Sequence, residues 1–436
     1  MSNKFSKVSL ILLFLCLLST FCDGRERQAS HRNKNLVFVN PSHLNNLYQE
    51  IAAGGKEMAI IHIYSDYPGY KWTDAAGEGI ACIDDVARAA LFYSNYYKAT
   101  GEKIYLRKIK KLIEYVLFMQ AENGYFYNFI TKDYSKNREY KTSLAQPDWW
   151  SWRAAWSLSE TYKLFSFYDP PFSKRIIKSL DKLFSAIKIN LPVKKIYTNV
   201  NGFERPAWLQ SGTGADQSSI LILAIVNYLE LKPDPVLKIY LTDLCDGIIR
   251  MQEGGGKIFP YYAFLSWENL WHAYGNSQSY ALLKAYELTG NPDYRLAVLR
   301  EIDNFYPYLL REKFFNNFLL KKENGSIIVD EQNRYPQIAY GMRPLIFASL
   351  EASKITGKRE YAVLAGELCS WFFGNNIAAY PMFDVKSGRC CDGINGKEEI
   401  NKNSGAESTI EALLSILAVE RNSTARSVLK RFMERK

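Results

Sequence analysis

The sequence predicts an all-α fold in which six helical hairpins close into an (α/α)6 toroid. The main support is a junction that recurs along the chain, in which Thr-Gly is followed by a Tyr and an apolar helical run; it occurs at 100–105, 289–294 and 356–361. A helix, a tight glycine turn and a second helix, repeated in this way, indicate an array of helical hairpins. Each hairpin can bury its apolar face only against its neighbours, so we expect the array to form a barrel.

Two kinds of helical segment alternate along the chain. Segments rich in Ala, Leu, Ile and aromatic residues are expected to be inner helices, buried on most sides; they are 78–98, 149–165, 214–231, 270–289, 337–355 and 405–420. Segments in which charged residues recur at helical spacing are expected to be outer helices; they are 103–120, 172–190, 235–252, 292–311, 358–373 and 423–435. Similar glycine turns at 119–126 and 251–259 predict short β-hairpins at one end of the barrel, and a strand is expected at 59–64.

The first residues have the layout of a secretory signal peptide. Lys4 and Lys7 precede an apolar run at 8–18, and small or polar residues continue to Gly24, which is too short a run for a membrane-spanning helix. We therefore expect a signal peptide at 1–24, an N-terminal segment packing on the barrel at 25–74, and a barrel that carries the catalytic site at 75–436. The protein is then secreted, periplasmic or at the cell surface. A lipid anchor at Cys22, as in a lipoprotein, is the alternative form of export.

Composition excludes several classes of protein. The net charge of +10 is spread along the chain without a basic block, so we expect no nucleic-acid partner. The four histidines, His31, His43, His62 and His272, are too few for a histidine-rich metal centre or a paired-histidine epimerase. No CxxC pair is present, and the cysteines are expected to be buried thiols. We expect no metal and no cofactor.

Polar and aromatic residues collect in the segments that lead into the inner helices, which a toroid gathers on one face. Cleavage of a glycosidic bond usually requires an acid and a second carboxylate that acts as base or nucleophile. The candidate catalytic residues in these segments are Asp84, Asp85, Asp148, Glu268 and Glu407.

Most of these carboxylates also have an ordinary structural role open to them. Asp84 and Asp85 can pair with Arg88 one helical turn later, and Asp148 can cap the helix that follows it. Glu407 follows Ser404 by three residues, and Asp216 follows Thr213 by three, which is the spacing of a capping box. Glu268 is less easily explained as structural, because it lies between two tryptophans and near a histidine.

The candidate substrate-binding residues are aromatic, amide and basic side chains in the same segments. A flat ring stacks well on the apolar face of a sugar, although packing in the barrel core is the alternative for any one ring. The planar fork of Arg suits a substrate carboxylate, so uronic acids fit as ligands. The candidates are Trp149, Trp150, Trp152, Arg153, Asp216, Gln217, Trp267, Trp271, His272 and Arg343.

The alternating hairpins, with aromatic and acidic residues where inner helices begin, resemble the six-hairpin glycosidase superfamily. Within it, residues 83–85 (Ile-Asp-Asp) and 148–156 (Asp-Trp-Trp-Ser-Trp-Arg-Ala-Ala-Trp) are similar to the Asp-Asp and Asp-plus-Trp elements of unsaturated glucuronyl hydrolases. This resemblance implies a carbohydrate substrate and paired carboxylates, with Asp84 or Asp85 and Asp148 as candidates.

Two further motifs resemble those of uncharacterised bacterial α/α-barrel proteins. Residues 84–89 match Asp-Asp-x-Ala-Arg-Ala, and residues 403–409 match Asn-x-Gly-Ala-Glu-Ser-Thr. Some of those proteins are joined to glycosyltransferase domains. This chain has no Gly-rich loop that could cradle a phosphate, so the resemblance does not imply transferase activity.

The favoured hypothesis is an exported glycoside hydrolase acting on an oligo- or polysaccharide, in which Asp84 or Asp85 works with Glu268, Asp148 or Glu407. It requires at least two of these carboxylates within about 10 Å of each other in one open pocket. A polysaccharide lyase is the second hypothesis, with His272 or Tyr274 as base and Arg343 holding a uronate. A non-catalytic surface protein that binds glycans through its tryptophans is the third.

Overall fold

The computed structural model of the protein describes residues 36–190 and 195–435. The expected signal peptide at 1–24, the candidate lipidation site Cys22 and His31 lie outside these residues. The division of the chain into a signal peptide, an N-terminal segment and a barrel domain stays a prediction.

The inner and outer helices alternate as the sequence predicts. After a short helix α1 (Ser42–Leu47), the inner helices are α2 (Ile83–Thr100), α4 (Trp149–Tyr168), α6 (Ala215–Leu231), α8 (Gln278–Thr289), α10 (Arg343–Thr356) and α12 (Ala406–Glu420). The outer helices are α3 (Lys103–Met119), α5 (Pro170–Ile189), α7 (Pro235–Ile249), α9 (Pro292–Glu312), α11 (Arg359–Cys369) and α13 (Ser423–Glu434). Each inner helix packs beside the next, and α12 packs beside α2, so the ring closes. The predicted (α/α)6 fold is confirmed.

Local chemistry explains the repeated Thr-Gly junctions. Gly101, Gly290 and Gly357 have φ angles of 74°, 74° and 72°, the left-handed conformation with which glycine ends a helix. Each glycine N–H donates to the carbonyl four residues earlier. Each preceding threonine hydroxyl accepts the N–H of the residue after the glycine at 3.2–3.3 Å. The junction therefore ends one helix and sets the start of the next.

Short antiparallel strands lie in the segments between the helices. They are β1 (Tyr48–Ala53), β2 (Lys56–Ile61), β3 (Tyr64–Asp66), β4 (Lys71–Thr73), β5 (Ala81–Cys82), β6 (Phe129–Ile130), β7 (Tyr197–Val200), β8 (Phe203–Pro206), β9 (Leu270–His272), β10 (Asn317–Glu323), β11 (Ser326–Asn333), β12 (Phe383–Asp384), β13 (Arg389–Cys390), β14 (Gly393–Gly396) and β15 (Glu399–Asn401). Most form two-stranded pairs, while β11, β10 and β9 form one three-stranded sheet in that order.

The structure corrects several predicted boundaries. The inner helices expected from 78, 270 and 337 begin later, at Ile83, Gln278 and Arg343. In two of them the preceding residues join sheets, β5 with β6 and β9 with β10, and in the third they form a 3-10 turn at Ala339–Gly341. The hairpins expected at 119–126 and 251–259 form only isolated bridges. The strand expected at 59–64 is divided between β2 and β3.

The N-terminal segment is held against the barrel by packing and hydrogen bonds. Strand β2 packs on α3 and α2, and the carboxylate of Glu420 at the end of α12 accepts three successive backbone N–H groups, from 37–39, at 2.7–3.2 Å. Among the described residues, no helix has both the length and the apolar character needed to cross a membrane.

Candidate active site

The amino-terminal ends of the inner helices meet on one face of the barrel, where side chains join them in pairs. The linking pairs are Arg88 with Glu407 (α2 to α12), Asp84 with Arg153 (α2 to α4), Arg343 with Glu411 (α10 to α12), Asp216 with His272 (α6 to β9), and Arg153 with Tyr340 (α4 to the turn before α10). The structure therefore brings together side chains that are as much as 323 residues apart in the chain.

Arg88 lies buried at the centre of this face and joins three carboxylates. Its Nη2 donates to Asp85 at 2.7 Å, and its Nη1 donates to Glu407 at 3.0 Å and to Glu411 at 3.2 Å. Because the guanidinium fork has a fixed geometry, the bound oxygens of Asp85 and Glu407 lie no more than about 8 Å apart. These two candidates are therefore within the expected separation of about 10 Å, but Asp85 is buried and does not share an open pocket with Glu407.

Asp84 does not share its carboxylate with Arg88, which donates only to the Asp84 backbone carbonyl. The carboxylate instead accepts Nη1 of Arg153 at 2.5 Å, and it remains 20% exposed. Nη2 of the same arginine donates to the hydroxyl of Tyr340 at 2.9 Å, and the guanidinium lies 4.9 Å from the ring centroid of Trp149. Arg153 was expected to bind a substrate carboxylate, but Asp84 already neutralises it.

Three guanidinium groups surround the ring of Tyr340. Those of Arg88, Arg343 and Arg153 lie 5.1, 5.3 and 5.5 Å from its centroid, a distance at which cation–π attraction operates. Arg343 is almost fully buried, and its Nε is paired with Glu411. Arg343 therefore stabilises the buried base of the site and is not exposed to bind a uronate.

Asp85 is the most deeply buried of the candidate carboxylates. Burial raises its pKa to about 6, and the charge of Arg88 opposes this effect while that of Glu407 adds to it. The thiol of Cys82 donates to its second oxygen at 3.2 Å. With 3% of its surface exposed, Asp85 has little direct access to a substrate.

Asp148 caps a helix, as the sequence allowed, and its carboxyl group also has a raised pKa. It caps α4, because its Oδ1 accepts the N–H of Trp149 at 2.7 Å, and the amide of Gln146 donates to its Oδ2 at 3.2 Å. Burial nevertheless raises the pKa of Asp148, and the nearby charge of Asp84 adds to the rise. Asp148 therefore holds its proton more tightly than an ordinary aspartate, and the Asp84 carboxylate near it is ion-paired with Arg153.

Asp216 orients His272 on the opposite part of the ring. The Oδ2 of Asp216 lies 2.8 Å from Nε2 of His272, and Nδ1 of the imidazole is buried without a hydrogen-bond partner among the described residues. The ring of Tyr274 stacks on the imidazole at 3.9 Å. Burial raises the pKa of the Tyr274 phenol, and the charges of Asp216 and Glu407 add to this. These contacts place Tyr274 between the two acidic groups.

Glu268 lies at the rim of the site in a turn. Its φ is +50°, and its N–H donates to the hydroxyl of Thr213 at 2.9 Å, so Thr213 does not cap Asp216 as the spacing allowed. Trp267 beside it is 42% exposed. Gln217 on α6 is partly exposed, and its Oε1 has no partner among the described residues. Trp267 and the partly exposed Glu268 remain available to a ligand, whereas Oε1 of Gln217 is buried.

The tryptophans form two groups, one at the rim of the site and one in the core of the barrel. Trp149 and Trp267 reach the surface of the site, whereas Trp150, Trp152 and Trp271 are buried. The indole N–H of Trp150 donates to two backbone carbonyls, and Trp271 stacks on Phe318 and meets Phe305 edge-on. These three rings were expected to bind substrate, but they pack in the barrel and present no face to a sugar.

Glu407 does not form the expected capping box with Ser404. The start of α12 is satisfied instead by Asp392, which accepts the N–H of Gly405 at 2.8 Å and the hydroxyl of Ser408 at 2.5 Å. The Glu407 side chain is thereby free of a capping role, and it is 45% exposed while it contacts Arg88. It is the most accessible of the carboxylates that Arg88 joins.

Sequence analysis did not identify Tyr340 or Glu411. Glu411 lies four residues after Glu407 and therefore on the same face of α12, a spacing that could have revealed it. Tyr340 had no comparable signal, because its importance comes from three arginines that lie on different helices.

Among the residues that the structure describes, no cluster of three or more His, Cys, Asp or Glu side chains is arranged to hold a metal ion. The described cysteines, Cys82, Cys245, Cys369, Cys390 and Cys391, are free thiols.

No family model and no curated protein matches this chain. Its fold is similar to those of a sugar epimerase from a ruminal bacterium (TM-score 0.63, 12% identity, 91% of this chain and 100% of the other) and a cellobiose 2-epimerase from Bacillus thermoamylovorans (0.61, 13%, 91% and 100%). It is also similar to a family 76 glycoside hydrolase from a bovine Bacteroides thetaiotaomicron strain (0.55, 12%, 87% and 76%). At such identity the likeness shows the shared barrel alone.

Proposed function

We propose that this protein is a carbohydrate-active enzyme, and specifically a glycoside hydrolase. The single observation that carries the proposal is the pairing of Asp148 and Asp84 in opposed environments at the starts of neighbouring inner helices. Burial raises the pKa of Asp148, whereas Arg153 neutralises the charge of Asp84. Two carboxyl groups held in this way suit the roles of proton donor and charged partner.

In this mechanism Asp148 donates its proton to the glycosidic oxygen as the bond to the leaving sugar breaks. Asp84 acts on the other side of the reaction, as the base that activates water or as the nucleophile. Trp149, which follows Asp148 directly, offers a ring to the sugar. Glu407, which is 45% exposed, and Tyr274 would bind hydroxyl groups of the substrate. Fold neighbours described as a glycoside hydrolase and as sugar epimerases are consistent with a carbohydrate substrate.

The test is hydrolysis of a panel of neutral and acidic glycans, followed by release of reducing ends. Removing a general acid typically costs about 10²- to 10⁴-fold in rate, so we expect Asp148→Asn to lose activity on that scale and Asp84→Asn to lose activity as well. Asn is as good a helix cap as Asp, and the folded state of Asp148→Asn should therefore be preserved.

Asp169→Asn is the matched control. Asp169 caps α5 through the N–H of Phe172 at 3.1 Å, as Asp148 caps α4, but it lies away from the site. A loss of activity in both variants would show that capping, not chemistry, explains the effect. Binding of a glycan without hydrolysis by the wild type would favour the non-catalytic reading.

A second candidate function is abstraction of a carbon-bound proton from a sugar, as in a polysaccharide lyase or an epimerase. The observation in its favour is that Asp216 orients His272 while Nδ1 of the imidazole remains unpartnered, an arrangement that suits a base. His272→Gln would then abolish formation of an ultraviolet-absorbing unsaturated product, or deuterium uptake from heavy water. If this function is correct, neither the wild type nor any variant would show hydrolysis that depends on Asp148.

We also propose that the enzyme acts after export. The support is the signal-peptide layout of residues 1–24, with a lipid anchor at Cys22 as the alternative. Fractionation of cells that produce the full chain tests this, since processing at Gly24 leaves a free N-terminus and lipidation leaves a membrane-bound protein.

A further inference from the structure

A second cavity lies beside the start of α12, outside the ring of catalytic candidates. Its volume is about 690 Å³, within the range of small-molecule sites. Its walls come from the turn after β3, the segment between α11 and β12, strand β13 and the residues just before α12. The aromatic members of the wall are Tyr67, Tyr70, Tyr380, Phe373 and Phe383.

Three of the four charged side chains that line the cavity are cations, and the fourth, Asp384, lies opposite Arg389 in the β12–β13 pair. Lys386, Arg389 and Lys402 line it, and none of the three forms an ion pair with any residue that the structure describes. The Nε of Arg389 is also buried without a hydrogen-bond partner among those residues. Asp384 is the acidic member of the wall, and its carboxylate accepts the hydroxyl of Ser387 and the N–H of Lys386.

The cations lie on the aromatic rings. The guanidinium carbon of Arg389 is 4.0 Å from the ring centroid of Tyr70, and the Lys402 ammonium lies 5.6 Å from Tyr67 and 6.0 Å from Tyr380. Cation–π contacts fix such groups without neutralising them. The cavity therefore combines aromatic rings with positively charged side chains that form no ion pair with a described residue.

We propose that this cavity binds a saccharide unit that carries an anionic group, a carboxylate or a sulfate. The exposed ring of Tyr67 and the partly exposed ring of Tyr380 offer stacking surfaces to the sugar, and Arg389 and Lys402 offer charge-assisted hydrogen bonds to the anion. A neutral sugar would leave the positive charges uncompensated, and a small anion alone would leave the rings uncovered.

The cavity adjoins the proposed catalytic face through a short segment of chain. Lys402 comes five residues before Glu407, and the N–H of Tyr67 donates to the side chain of Asn403 at 2.9 Å. Cys391 in the wall precedes Asp392, which caps α12. The assignment of this cavity to the same substrate as the catalytic residues rests on the proposed function, whereas binding to the cavity does not.

The test is calorimetric titration of the full chain carrying Asp148→Asn, so that binding is measured without turnover. The probes are trigalacturonate, its carboxyl-reduced counterpart, a sulfated neutral trisaccharide and acetate. We expect at least one anionic trisaccharide to bind at least tenfold more tightly than the reduced trisaccharide. Raising the salt from about 0.05 to 0.5 M should weaken this binding, because it is partly ionic.

Variants locate the site. Lys402 is exposed, so Lys402→Gln should fold normally and bind the anionic trisaccharide at least threefold more weakly, and Lys402→Gln with Arg389→Gln at least tenfold more weakly. Tyr67→Ala should also weaken it. Lys163→Gln, which removes an equal charge on α4, is the matched control and should not change the affinity.

Equal binding of the charged and reduced trisaccharides, undiminished binding in the Lys402 variants, or equal affinity for acetate would each overturn the proposal. Its failure can be told from failure of the proposed function. Binding at the cavity with no hydrolysis of any glycan by the wild type would overturn only the hydrolase assignment. Hydrolysis with no preference for an anionic ligand would overturn only the cavity assignment.

Discussion

Replacing Asp85 by Asn is expected to change how the stability of the barrel depends on pH. The pKa of Asp85 is about 6 in the folded protein, against 3.8 for an ordinary aspartate, and each pH unit of difference corresponds to about 1.4 kcal/mol. Holding Asp85 in its charged form therefore costs the folded state about 3 kcal/mol. The cost arises because burial outweighs the attraction of Arg88.

The sign follows from which state binds the proton more tightly. Between pH 4 and pH 6 the folded protein keeps the Asp85 proton while the unfolded chain loses it, so this group makes the wild type less stable as the pH rises. Asn cannot titrate. The free energy of unfolding of Asp85→Asn, relative to the wild type, should therefore increase by about 3 kcal/mol between pH 4 and pH 7.

The assay is urea denaturation of both proteins at closely spaced pH values, followed by tryptophan fluorescence. Asp330→Asn is the control, because Asp330 is half exposed and pairs with Lys321 at the surface, where an ion pair contributes about 1 kcal/mol or less. A difference between Asp85→Asn and the wild type that stays constant within about 1 kcal/mol, or that falls with rising pH, would refute the reasoning.

Three other outcomes are expected. Trp271→Ala should lower the free energy of unfolding by about 3–5 kcal/mol because the ring is buried in the core. Trp267→Ala at the rim should lower it by less than about 1 kcal/mol and should weaken glycan binding. Thermal denaturation measures the first effect and ligand titration the second. Arg343→Met should destabilise the protein by less than the roughly 3–5 kcal/mol of a buried charge left unpaired, because Arg88 still contacts Glu411, and adding Glu411→Met should recover part of that loss. The kcat/KM for hydrolysis should fall on the alkaline side, at a pH above the ordinary range of aspartate, because burial raises the pKa of the Asp148 acid.

Those features of the fold that depend on local chemistry could be predicted from the sequence. The Thr-Gly junctions bring their own hydrogen bonds and left-handed glycines, so they marked helix ends correctly wherever they occurred. Strand β9 could not be predicted in the same way. Its residues, 270–272, are apolar enough to continue a helix, and they form a strand because β10, more than 40 residues later, pairs with them.

The candidate site also has features that could be predicted from the sequence and features that could not. The starts of the inner helices could be located from composition, and this was sufficient to select Asp84, Asp148 and Glu407. Whether a tryptophan in those segments faces solvent depends on the helix that packs against it, which is why Trp271 was expected at the surface. The part played by Tyr340 arises only when guanidinium groups from three helices meet at its ring.

The distribution of charge connects the proposed catalysis with the proposed recognition. Arg88, Arg153 and Arg343 at the barrel centre are held by carboxylates of the same chain, so they are unsuited to binding an acidic sugar, although the sequence allowed that role for two of them. Those arginines instead bind neighbouring carboxylates, while burial raises the pKa of Asp148. An anionic substrate group bound among these carboxylates would meet repulsion and would raise their pKa values further. The cations beside α12 that form no ion pair offer a binding place for the anionic substrate group, away from the carboxylates at the barrel centre. This separation allows one chain both to bind an acidic glycan and to keep its proton donor and charged partner distinct.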